Sequence, residues 1–151
     1  MRYYTHLAFS FLVGILLIEY LSISNQILFI ALFMGFSLLP DIDKVQSKVS
    51  EKIKVVSFVI RFFLGHRGLM HSIWVPLIFY LTLFGFSMNI AIAISFGYLS
   101  HLLLDGLTPS GVKLLWPMKK KLKGFVRTGS LMEYLLFVLL IILDVYFLMS
   151  L

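Results

Sequence analysis

The chain contains no cysteine in 151 residues. Disulfides and thiolate metal sites are therefore excluded, and a metal site would have to use imidazole, carboxylate, backbone or water. Charge is scarce as well: 13% of residues are Asp, Glu, Lys or Arg, against ~25% in an ordinary soluble domain. Only seven residues are acidic and only four are histidine. What fills the rest is apolar, with 60% hydrophobic residues and a mean hydropathy of +1.00. That composition specifies an integral membrane protein. The length suits a single membrane-embedded domain over residues 1–151, with no room for a second soluble one.

A net charge of +6 would suit a nucleic-acid partner, but the placement of the charge argues against one. All 13 Lys and Arg residues fall at position 2, between 44 and 67, or between 113 and 127, and the turns around 22–26 and 86–89 have none. Basic residues confined to one set of loops form the positive-inside pattern. The basic side is predicted to be cytoplasmic, and no specific nucleic-acid binding is expected.

Five apolar runs stand out, at roughly residues 6–22, 26–40, 72–87, 89–105 and 131–151. A helix crosses the hydrocarbon with ~20 residues and needs at least ~17, so the shorter middle runs are expected to extend into flanking polar residues or to sit in a thinned bilayer. The stretches SISNQ and GFSMN make tight turns that fold runs one and two, and three and four, into antiparallel hairpins. Run one lacks a small-residue cleavage site and is expected to be retained. The segment Lys44 to Leu64 is too charged to span easily; Lys52, Lys54 and Arg61 among apolar residues predict an interfacial helix with snorkelling basic side chains. Leu107 to Ser130, with TPSG, a Trp-Pro pair and KKKLK, predicts a structured loop leading to a cluster that faces lipid headgroups or phosphate. The expected fold class is all-α: an integral bundle of about five transmembrane helices plus an interfacial amphipathic helix, N-terminus cytoplasmic and C-terminus outside.

Threading five spans back and forth puts the start of run one, the end of two, the start of three, the end of four and the start of five on one side. Those ends carry His6; Asp41 and Asp43; His66 and His71; His101 and Asp105; and Glu133. All four histidines thus fall at one depth. His101 and Asp105 are four apart, which stacks them on one helix face. They can bind one metal, or the Asp can orient the imidazole, or they are a polar pair at a helix end. An ionisable residue in a spanning helix costs ~2.5–3.5 kcal/mol on insertion scales and is a functional candidate by default. Asp41 and Asp43 follow Pro40 and leave the membrane on a turn, where they grip a cation or are simply solvated. His66 and His71 are not at a same-face spacing; with Gly65 and Gly68 nearby they can wrap a cation from two directions. Arg67 suits an oxyanion, and Ser72 suits a helix cap. Glu133 is a general base, an extra ligand, or a carboxylate favoured at a helix N-terminus. Asp144 falls at the outer end and stands apart from the set.

Taken in order, a His near the start, LLPDID, HRGLMHS, and HLLLDGLTPSG followed by Trp116 and Pro117 resemble the YdjM-like membrane-bound metal-dependent hydrolases, inner-membrane proteins described as LexA-regulated in some bacteria. The resemblance covers about residues 5–117 plus the final helix. The layout is also similar to the zinc-dependent phospholipase C and single-strand nuclease fold, where an HxxxD helix and further His and Asp residues hold metals. These resemblances imply a metal-dependent hydrolase acting on phosphoesters or lipids at the cytoplasmic membrane face. The carry-over lands on His6, Asp41, His66, His71, His101 and Asp105, then on Asp43 and Glu133. In the resulting expectation His6, Asp41, His71, His101 and Asp105 hold metal. Asp43, His66 and Glu133 serve catalysis, and Arg67 with Lys119, Lys120 and Lys121 holds an anionic headgroup. Fewer histidines than in the soluble phospholipases argue against a three-metal cluster. Zinc is the first choice because imidazoles are prominent, while the carboxylates admit manganese or magnesium. Membrane lipid is the expected partner.

Two other classes fit the composition. A small ion- or proton-coupled transporter also uses intramembrane His and Asp, but it needs polar residues through the full thickness. The outer half offers little beyond Glu19 and Asp144. A non-catalytic structural membrane protein would instead use its basic loops to recruit lipid or a partner, and would not need its histidines.

Overall fold

The computed structural model describes residues 1–21, 23–41 and 69–150. Within them lie five α-helices: α1 (Tyr3–Tyr20), α2 (Gln26–Leu38), α3 (Trp74–Leu83), α4 (Met88–Gly106) and α5 (Leu131–Ser150). The fold is all-α, as expected. The one β-bridge among the described residues, Val112 with Leu122, is isolated in the α4–α5 loop. Three stretches, Tyr3–Tyr20, Met88–Gly106 and Leu131–Met149, are long and apolar enough to cross a membrane. Gln26–Asp41 and Trp74–Leu83 are apolar but shorter. The interfacial helix expected within 44–64 lies outside the described residues, as do Asp43, His66 and Arg67.

Local chemistry sets the boundaries. The Asn25 side chain accepts the Leu28 N–H at 3.0 Å and caps α2. Ser87 does the same for α4, accepting from the Ile90 N–H. Pro40 stands where α2 gives way to a 3-10 turn over Leu39–Asp41. Leu39 keeps helical angles (φ −56°, ψ −41°); Pro40 has no N–H for the helical ladder, and the tighter turn ends the helix there. Pro76 sits in the first turn of α3, where a missing N–H leaves no helical bond unmade. Ser72 is not the cap that its position predicted. Its hydroxyl donates to the Leu69 carbonyl at 2.5 Å inside the 3-10 turn Leu69–His71. The residue flanking α3 is Ile73, which makes no side-chain cap. Helix α1 begins at Tyr3, earlier than the apolar run, so His6 lies a turn inside it.

Helix α4 is the axis of the bundle. Two-thirds of its spanning window is buried (67%), against 44% for α1 and 17% for α5. It packs most extensively on α2 and α3 and also meets α1. Gly97 permits the α2–α4 approach, because a Cβ there would collide with the Phe33 carbonyl oxygen. Small residues at such crossings let backbones come close enough for dispersion to hold helices together in lipid. Phe29, Phe33, Ile18, Ile92 and Ala93 fill the core beside that contact. Helices α1 and α5 run parallel: Thr5 meets Glu133, Tyr4 stacks edge-on with Phe137, and Ala8 and Leu12 pack with Leu140.

Candidate metal centre

Five of the sequence-predicted residues meet at one end of the bundle, delivered by four different helix ends or turns. His6 comes from the first turns of α1, and Asp41 from the 3-10 turn after α2. His71 comes from the 3-10 turn before α3, and His101 and Asp105 from the last turns of α4. One ligand atom from each of Asp41, His71, His101 and Asp105 lies within 4.8 Å of the others. His6 joins through Asp105 and His101. Its Nε2 is 3.4 Å from Asp105 Oδ1, and its ring stacks on that of His101 with centroids 4.0 Å apart.

His101 is oriented by the backbone. Its Nδ1 lies 2.7 Å from the Ser37 carbonyl oxygen. A carbonyl can only accept, so Nδ1 carries a proton; in the neutral ring Nε2 then offers its lone pair to the cluster, and in the imidazolium it points a proton at the carboxylates. That Nε2 is 3.5 Å from Asp41 Oδ1 and 3.5 Å from Asp105 Oδ2, and it makes no hydrogen bond. His71 Nε2 lies 3.9 Å from Asp41 Oδ1, and neither the His71 Nδ1 nor either nitrogen of His6 makes a hydrogen bond. Asp105 is the hub, since its Oδ1 also accepts from the Met1 amine at 2.8 Å. Burial is graded: the side chains of His6 and His101 are 0% exposed, those of Asp105 and His71 11% and that of Asp41 14%. The two stacked histidines are sealed, and Asp41, His71 and Asp105 keep slight exposure.

This donor set fits a divalent cation. Buried imidazole nitrogens without partners cost ~1–3 kcal/mol each, and several facing two carboxylates at 3.4–3.9 Å form a cluster that a shared cation would satisfy. A histidine that donates one ring N–H to a carbonyl and turns the other nitrogen inward is the usual posture of a metal ligand. Asp41, His71, His101 and Asp105 are the residues that would hold it, with His6 beside Asp105.

Glu133 is placed elsewhere. One carboxylate oxygen accepts the Arg2 backbone N–H at 2.6 Å and the Thr5 hydroxyl at 3.3 Å; the other accepts the Gly129 N–H at 2.5 Å. It ties the start of α5 to the start of α1. Arg2 reinforces the tie by donating from Nη1 to the hydroxyls of Tyr4 and Tyr134, at 2.8 and 2.9 Å. Lys119, Lys120 and Lys121 are exposed in the α4–α5 loop. That loop is folded. Gly111 takes a positive φ of 62° beside the Val112–Leu122 bridge. The Ile73 N–H and the Trp74 indole donate to the carbonyls of Leu114 and Trp116, at 2.9 and 2.7 Å, fastening the loop to the start of α3.

Sequence reasoning missed the supports of the cup. The Ser37 carbonyl orients His101, and a backbone oxygen has no signature in sequence. The Tyr98 hydroxyl donates to the Met70 carbonyl, next to His71. Tyr98 precedes His101 by three residues, so the stripe of 98, 101 and 105 on one face was readable. Ser10 and Ser100, with hydroxyls 3.1 Å apart, link α1 to α4 below the histidines.

The YdjM inner membrane protein family matches residues 1–150, and the chain belongs to it. It is 34% identical over 115 residues to YvsG of Bacillus subtilis (strain 168), which covers 74% of this chain and 72% of that protein. It is 39% identical over 89 residues to inner membrane protein YdjM of Escherichia coli (strain K12), covering 54% of this chain and 45% of that one. Inner membrane protein YdjM of Shigella flexneri matches to the same extent. The chain thus spans less than half the length of these two relatives. No solved structure matches it.

Proposed function

We propose that this member of the YdjM inner membrane protein family is a membrane-bound, metal-dependent hydrolase acting on phosphoester or lipid substrates at the cytoplasmic membrane face. The observation that carries this reading is the posture of His101: Nδ1 held by the Ser37 carbonyl, Nε2 buried and aimed at two carboxylates. Three imidazoles favour zinc, and two carboxylates leave room for manganese or magnesium. When bound, such a cation supplies Lewis acidity, bringing the pKa of water from ~15.7 toward ~7 and polarising a phosphoryl or acyl oxygen.

The chain's own groups do the rest. Ser37 and Tyr98 hold His101 and the turn bearing His71 in register. His6 and His101, stacked and fully buried, close the inner wall against water. Asp41, His71 and Asp105 keep slight exposure, and a substrate oxygen would enter past them. Asp43 and His66, two residues after Asp41 and five before His71 in the sequence, are assigned to proton transfer, with Glu133 retained as a further candidate. Arg67 and the exposed Lys119, Lys120 and Lys121 are assigned to an anionic headgroup, since lysines beside a membrane each contribute ~1 kcal/mol toward anionic lipid. The basic loops then face the cytoplasm, with the N-terminus inside and the C-terminus outside.

Metal analysis of purified protein tests the reading. Wild type is expected to retain at least one divalent ion per chain after desalting, and the His101→Ala, Asp105→Ala double variant none. Equal content in the two would end it. A screen of phosphodiesters and phospholipids with zinc, manganese and magnesium would then name the bond that is cut.

A further inference from the structure

The α4–α5 loop has a tip of mixed chemistry. The Val112 and Leu122 backbones exchange N–H···O bonds at 3.0 and 2.9 Å, which pinches residues 113–121 into one unit. Within it Leu115, Trp116 and Met118 are exposed, and so are Lys119, Lys120 and Lys121. No residue from 107 to 130 is acidic. Exposed apolar side chains rimmed by charge mark a contact with a protein or a membrane.

The attachment of the tip says which. The Trp74 indole donates to the Trp116 carbonyl at 2.7 Å, and the Ile73 N–H to the Leu114 carbonyl at 2.9 Å. Trp74 heads a stripe on α3 that continues through Ile78 and Leu81, all exposed, at the spacing of one helix face. In a membrane-embedded bundle that stripe meets lipid. The tip is therefore fastened to the upper end of a lipid-facing flank. Helix α3 has ten residues, a rise of ~15 Å against a hydrocarbon core of ~30 Å. The tip stands where the depth left by the short helix begins.

We propose that residues 113–121 are an interfacial anchor seated in the leaflet on the cup side. Leu115, Trp116 and Met118 dip below the headgroups, and Lys119, Lys120 and Lys121 pair with the phosphates of anionic phospholipid. Tryptophan favours the boundary between hydrocarbon and water, lysines beside it attract anionic lipid, and the loop has no carboxylate to oppose them. The headgroups met here are those of the leaflet at large, so the anchor is independent of the hydrolase reading.

The absence of cysteine makes the test simple. Met118→Cys carries a nitroxide in the full chain, reconstituted in phosphatidylcholine vesicles with or without phosphatidylglycerol. Its accessibility to oxygen and to an aqueous nickel chelate gives its depth, calibrated with doxyl-labelled lipids. With phosphatidylglycerol the label is expected below the phosphates, several-fold protected from the chelate. Without it, or with Lys119→Gln, Lys120→Gln and Lys121→Gln combined, the label should rise toward water. A label in the aqueous phase in both vesicles, or a depth indifferent to phosphatidylglycerol, would overturn the anchor. The comparison of vesicles decides this even where the triple variant does not fold. Metal content of the same samples reports on the cup alone. Failure of the anchor leaves the hydrolase reading standing, and a metal-free wild type leaves the anchor standing.

Discussion

Helices α4 and α5 have nearly the same length, 19 and 20 residues, and opposite characters. The spanning window of α4 has a mean hydropathy of 1.3 and is 67% buried; that of α5 reaches 2.3 and is 17% buried. α4 carries Ser95, Gly97, Ser100, His101 and Asp105 inside the bundle. α5 shows Leu135, Val138, Leu139, Ile142 and Tyr146 to its surroundings. In a bilayer the outward face of a helix must be apolar, while the inward face is free to be small or polar if its groups find partners. The less greasy of two span-length helices is therefore the one that holds the chemistry. Hydropathy ranks helices by exposure to lipid, and its lapses point to the site.

The strongest way to break this contrast is at Gly97. Gly97→Leu puts a side chain into the Phe33 carbonyl, a backbone atom that cannot rotate away. Overpacking costs ~1–3 kcal/mol, and the upper end is expected here. Thermal unfolding in detergent should show the largest loss of stability of any substitution considered.

Glu133→Gln sharpens the contrast from the α5 side. It removes a charge that accepts backbone N–H groups from Arg2 and Gly129, for an expected loss of ~1.5–3 kcal/mol. Metal content should stay at the wild-type level. A loss of metal equal to that of the double variant would move Glu133 into the cup.

Tyr98→Phe is a smaller perturbation. It removes the hydroxyl that holds the Met70 carbonyl and leaves every ligand in place. Groups that position a ligand typically contribute 10–100-fold in metal affinity; about 10-fold weaker binding by competition with a chelator is expected, with unchanged stoichiometry. The least effect is expected from Leu139→Ala, which trims a side chain 52% exposed on α5. Stability should change by no more than ~0.5 kcal/mol, with metal content intact.

Much of this was legible beforehand, for a stated reason. Alternate threading of apolar runs forces His6, Asp41, His71, His101 and Asp105 to one end, and their separations of 3.4–3.9 Å follow once α4 stands at the centre. The turns at SISNQ and GFSMN were readable because Asn25 and Ser87 are capping residues. The short α3, only ten residues, was not. Its run is apolar from Ser72 onward, but the 3-10 turn at Leu69–His71 and the hydrogen bonds from Ile73 and Trp74 to the α4–α5 loop start the helix late. Glu133 shows the other limit. Composition marks a carboxylate at a helix start, but only coordinates reveal that the backbone amides of distant Arg2 and nearby Gly129 already occupy it. Ser37 shows the same limit, since it acts through a main-chain oxygen that any residue could supply.

X-ray absorption at the zinc edge is the most direct test of the central claim that the converging side chains around His101 form one cation site. Zinc-loaded wild type is expected to show nitrogen and oxygen neighbours at ~2.0–2.2 Å, with outer scattering from imidazole that drops when His101 becomes Ala. A spectrum without imidazole scattering, or one left unchanged by His101→Ala, would contradict the account.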